Sequence, residues 1–79
     1  MEDQRQNNLK KLRCEFKRPR VAKEDIARLA GISYQTYWKA EADRPIRQST
    51  AISIYGAVNA TREYQGLPPV LIEDLGLNY

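Results

Sequence analysis

The sequence predicts an all-α domain of four to five short helices, on three observations. Apolar residues recur at spacings near 3.6, and no segment alternates strictly as a half-buried strand does. Glycine and proline punctuate the chain at Pro19, Gly31, Pro45, Gly66 and Pro68-Pro69, cutting it into pieces of helical length. The 79 residues suffice for one domain, whose core buries only about 60% of the unfolded surface. No internal repeat or low-complexity stretch divides residues 1–79 further.

The first helix is predicted over Asp3 to Lys17, because Leu9, Leu12 and Phe16 share one face and Pro19 disfavours helical geometry at Arg18. The second runs from about Ala22 to Ala30, with Glu24 and Asp25 at the positive end of its dipole and Ile26, Leu29 and Ala30 inward. Gly31 ends it by accepting positive φ, and Ile32 plugs the angle. Ser33 then caps a third helix over Tyr34 to Ala42, its hydroxyl accepting from the backbone of Gln35 or Thr36. A fourth is predicted over Gln48 to Asn59, capped by Ser49 or Thr50, with Ala51, Ile54, Tyr55 and Val58 inward. A short fifth opens at Pro68 or Pro69, where proline suits a first turn, and carries Val70, Leu71, Ile72 and Leu75.

Charge is unevenly spread. Residues 1–47 hold 12 Lys/Arg and 7 Asp/Glu, a net of +5, while residues 48–79 hold 1 and 3, a net of −2. A basic half beside a mildly acidic one points to a polyanion-facing surface and a second surface facing elsewhere. No apolar run approaches the roughly 20 residues that span a bilayer, and the polar start is not that of a signal peptide. Cys14 is the only cysteine and histidine is absent, so neither an internal disulfide nor a Cys/His metal site is expected. A reduced cytosolic thiol is the expectation. No Ser–His arrangement and no phosphate loop is present either, which argues against an enzyme and against a bound cofactor.

Two helices joined by a sharp glycine turn form a helix-turn-helix layout. Ala27, four residues before Gly31, supplies the small residue that a close crossing needs, and Ile26, Ile32, Tyr37 and Ala40 occupy core positions. The stretch "KEDIARLAGISYQTYWKAEADR" resembles the XRE-type, lambda-repressor-like helix-turn-helix family. Members often read Gln-Glu-Glu-Leu-Ala, three variable residues, Gly-Ile-Ser, then a helix containing Ile-Glu. "NNLKKLR" resembles the family's first helix and "STAISIYGAV" its fourth, so the resemblance covers about residues 7–60 and leaves 61–79 as a packing or dimerisation segment. The chain departs from the pattern in three places. Lys23 stands for the usual Gln, a bulky Tyr37 and small Ala40 exchange volumes, and Lys17-Arg18-Pro19-Arg20 lengthens the first loop by about three residues.

The resemblance implies a third helix lying in the major groove of DNA, with its N-terminal residues at base edges. Tyr34, Gln35, Thr36 and Lys39 then become base contacts. Gln35 suits adenine, Lys39 suits guanine, and Tyr34 or Thr36 suits a phosphate or a thymine methyl. Lys23, Arg44, Arg47 and Arg20, with Arg18 weaker, become phosphate contacts, joined by the backbone amides at Ser33. For each, the alternative is an ordinary solvated surface position. The resemblance further implies that Glu41 pairs with Arg13 of the first helix as a structural ion pair. Tyr37 is expected in the core, and Trp38 either beside the fourth helix or along the DNA backbone. Stacking of the three aromatics on single-stranded bases is disfavoured, since neither a sheet nor an open groove is predicted.

The segment "LPPVLIEDLGLNY" is apolar for a terminal stretch. It is expected both to pack back on the first helix and to support a homodimer, as regulators reading two half-sites about 34–36 Å apart require. The leading function is therefore a cytoplasmic, nucleoid-associated repressor that reads double-stranded DNA. The competing one is an interaction adaptor or antitoxin-like module whose C-terminal part docks a protein partner.

Overall fold

The structure, a computed structural model, describes residues 7–79. It is all-α: α1 (Leu9–Cys14), α2 (Lys23–Ala30), α3 (Tyr34–Glu41) and α4 (Gln48–Tyr64) are followed by a single 3-10 turn, Ile72–Leu75. Among the described residues there is no strand, only an isolated bridge between Lys17 and Arg20. No helix among them is long and apolar enough to cross a membrane.

One core joins all the elements. Leu9 of α1, Ile26 and Ala27 of α2, Tyr37 and Ala40 of α3, and Ile54, Ala57 and Val58 of α4 meet Phe16 and Leu75 from the connecting segments. α2 lies at the centre, packed on α3 on one side and on α4 on the other. The small side chain of Ala27, 3% exposed, permits the close crossing.

Four elements differ from their predicted form. The first helix is only Leu9–Cys14, and the predicted start at Asp3 lies outside the described residues. Asn7 Oδ1 accepts the Leu9 amide, and Asn8 spends its backbone and side-chain donors on Leu75 O and Asp74 O, so neither extends the helix. At the other end Phe16 turns into the core, with its amide on Arg13 O in a tightened last turn.

The second difference is Leu29, predicted inward and in fact 62% exposed. The inward stripe of α2 is buried Ile26 and Ala27 with partly buried Ala30, and Leu29 sits roughly 100° round from its centre. Third, α4 runs to Tyr64 rather than Asn59 and is capped at Arg47, which leaves Ser49 and Thr50 inside its first turn without a capping role. No breaker lies between Asn59 and Tyr64, and the helix stops only before Gly66, whose φ is 76°. Its last turns are pinned from outside. Buried Arg62 donates to Pro68 O and to Glu15, and the Gln65 side chain holds the Lys17–Arg20 loop by its backbone.

Fourth, the C-terminal helix does not open at Pro68 or Pro69. The Asn59 side chain bonds both the amide and the carbonyl of Val70, which keeps that stretch extended until the 3-10 turn. Leu75 is then fully buried while Leu71 stays 63% exposed. The segment packs on its own domain, against α4 and the start of α1.

The turn between α2 and α3 follows the predicted form. Gly31 has φ 73° and ψ 30°, and the amides of Gly31 and Ile32 close the last turn of α2 on Arg28 O and Ala27 O. A Cβ at Gly31 would meet nothing within 4 Å, so a substitution there brings backbone strain rather than a clash. Gly31→Val is expected to lower stability by about 1–3 kcal/mol, since a β-branched residue tolerates the left-handed region badly. Urea unfolding checks it; a variant as stable as the parent would mean that the turn relaxes to negative φ.

Candidate nucleic-acid interface

α3 carries the residues of interest because its two faces divide cleanly. Tyr37 and Ala40 are buried, while Gln35 and Lys39 are exposed, Tyr34 is 44% exposed and Thr36 half-buried. Ser33 caps the helix as expected. Its Oγ accepts the Thr36 amide at 3.1 Å and donates to Thr36 Oγ1 at 2.9 Å, so both hydroxyls are oriented. Of the two amides considered at the outset, only that of Thr36 uses the cap.

Thr36 and Lys39 face the start of α4 across an open concavity of about 520 Å³, closed on the far side by Ile46, Arg47 and Thr50. Arg47 therefore joins the outer face of α3. Arg44 lies outside that lining, its Cζ 5.7 Å from the centre of the Trp38 ring, a cation–π arrangement on a side chain 43% exposed. Trp38 thus lies at the surface under Arg44. Neither predicted option, a place beside the fourth helix or along a DNA backbone, included this pairing.

The remaining candidates lie elsewhere. Arg20, with Arg18, belongs to a loop fastened to Gln65 at the C-terminal end of α4, whereas Arg47 stands at the N-cap position of that helix. The length of α4, about 25 Å for 17 residues, separates the two positions, so Arg20 does not share the concavity. Lys23 is half-buried, with Nζ 4.0 Å from Glu41 Oε1, so any phosphate competes with an internal carboxylate for it.

Behind this face is a polar cluster that ties three helices together. Arg13 Nε donates to Glu41 Oε2 at 2.6 Å and its Nη2 to Oε1 at 3.3 Å, the expected ion pair, with the Glu41 side chain only 5% exposed. The guanidinium responds: the Glu41 hydrogen bond, against opposing desolvation, raises the Arg13 pKa above its ordinary value. Tyr37 Oη donates to the same Oε2 at 2.8 Å, which the sequence reading passed over although the i, i+4 spacing signals it.

Burial first, and the neighbouring Glu41 charge second, push the Tyr37 hydroxyl well above its ordinary 10.0. A raised folded pKa stabilises below the unfolded value and is lost as pH rises through the folded one. The Tyr37 contribution is therefore fully present below about pH 10 and falls by roughly 1.4 kcal/mol per unit above it. Unfolding measured from pH 8 to 11 should show this slope, and Tyr37→Phe should remove it.

Two residues that shape the interface, Ile46 and Asn78, were not singled out in the sequence, and Pro45 was singled out only as a break. Pro45 and Ile46 line the concavity, and Asn78 bonds the turn that precedes α4. Asn78 gave no signal, since Asp43, which its side chain bonds, is 35 residues away in sequence. No protein-family model matches the chain, and no curated protein or solved structure matches it.

Proposed function

We propose that the chain is a sequence-specific regulator of double-stranded DNA, a small cytoplasmic, nucleoid-associated repressor of the lambda-repressor-like helix-turn-helix type. α3 enters the major groove and Tyr34, Gln35, Thr36 and Lys39 read base edges, while Arg44 and Arg47 grip phosphates. The protein acts by occupying its site, without catalysis. The observation that carries this reading is the juxtaposition of α3's exposed polar face with the basic start of α4 across one open concavity. The left-handed turn at Gly31 and the oriented Ser33 cap support it, because Ser33, Tyr34 and Gln35 at the start of α3 are exposed. A homodimer on a two-fold symmetric site completes the proposal, as a domain this small gains affinity from a second half-site.

A second reading has its own support. At the other end of α4, Leu29, Tyr64, Pro19 and Val21 line an apolar groove of about 440 Å³, with Tyr64 81% exposed. That groove favours an adaptor or antitoxin-like module that docks a protein. Selection of random duplexes on the full chain separates the two. Enrichment of one site, with affinity falling steeply as salt rises, supports the regulator, and its symmetry reports the dimer. Weak, unselective retention would move the assignment to the adaptor.

A further inference from the structure

The turn between α3 and α4 carries both arginines of the interface, and the two ends of the described chain hold it. Asp43 opens the turn at φ 61°, a left-handed conformation that a residue with a Cβ seldom adopts unaided. Asn7 Nδ2 donates to Ala40 O at 2.6 Å and reaches Asp43 Oδ1 at 3.5 Å. From the other side Asn78 Nδ2 donates to Asp43 O at 3.1 Å, and the Ile46 amide donates to Asn78 O at 2.9 Å. Asn78 thus brackets Arg44 and Pro45 between two tethers, and Arg47 follows the second tether directly. Fully buried Leu75 and partly buried Leu77 anchor the segment that bears Asn78.

We infer that Asn78 is a positioning residue for Arg44 and Arg47, so that the C-terminal segment sets the strength of DNA binding without touching DNA. The inference rests on the regulator reading. Its physical basis is preorganisation: an arginine presented from a fixed turn loses less freedom on meeting a phosphate than one on a loose turn. A consequence is reciprocal coupling, since a partner that draws Asn78 away weakens DNA binding by the factor by which DNA weakens that partner.

The test uses the full chain and the duplex it selects. Trp38 is the only tryptophan and lies under Arg44, so its emission reports on the turn. Asn78→Ala is expected to stay folded, to shift Trp38 emission and to bind the duplex about three- to tenfold more weakly, the effect of one lost hydrogen bond. Asn78→Gln, which keeps an amide donor, should recover part of the loss. On an Arg44→Ala/Arg47→Ala background, measured at low salt, Asn78→Ala should change affinity by less than about twofold, because the groups it positions are gone.

An undiminished effect on that background would overturn the inference, as would full affinity or unfolding of Asn78→Ala itself. If the folded parent binds no duplex, the regulator reading fails and the inference with it. If the parent binds and Asn78→Ala binds equally well, the inference alone fails.

Discussion

Glu41→Ala is expected to remove about 3–5 kcal/mol of folding stability, the loss that follows when one partner of a buried pair is deleted. Glu41 accepts from Arg13 and Tyr37 and lies within 4.0 Å of Lys23, so its carboxylate joins α1, α2 and α3 at one point. Without it, the Arg13 charge, 13% exposed, and the buried Tyr37 hydroxyl lose their partner together. Arg13 has a little access to solvent, which places the loss toward the lower end of that range. Against a total stability of roughly 4–12 kcal/mol for a chain of 79 residues, this is a large fraction. Urea titration at neutral pH checks it, with an unchanged slope showing that the two end states are the same. A loss under about 1 kcal/mol would mean that the pair behaves as a solvated surface bridge.

Gln35→Ala is expected to have its effect on specificity. Gln35 is the second residue of α3 and is exposed, and its amide makes no side-chain hydrogen bond among the described residues. Removing it therefore leaves the fold alone. In the proposed docking, its amide pairs with both hydrogen-bonding groups of an adenine edge, and its loss should reduce discrimination at one base pair by about 1–3 kcal/mol. Competition between the selected duplex and its single-base variants measures this. Equal weakening on every duplex would assign Gln35 to backbone contact instead.

The sequence was most legible where a single residue decides the local geometry. Gly31 marks the turn between α2 and α3, Ser33 marks the start of α3, and Tyr37 with Ala40 marks its buried face; all three follow from spacing and conformational preference. Legibility failed where distant side chains decide. Asn59 and Arg62 hold the segment after α4, and Asn7, Asn8 and Asn78 hold the ends, through partners far along the chain. Leu29 was misplaced because an apolar residue at the border of a helical stripe reads as inward until the crossing angle is known. In the site, the outward face of α3 was legible from its period, whereas the sorting of its basic neighbours depended on how far α4 runs. Arg47 reaches the concavity and Arg20 does not, because opposite ends of one long helix separate them.

The central claim is that DNA is bound by the outer face of α3 and the turn before α4. Its most direct test is to titrate the labelled protein with its selected duplex and follow each backbone amide by NMR. The expected result is saturable shifts concentrated at Gln35, Thr36, Lys39, Arg44 and Arg47, with Leu29 and Tyr64 unmoved. Shifts centred on Leu29 and Tyr64, or none that saturate, would contradict it.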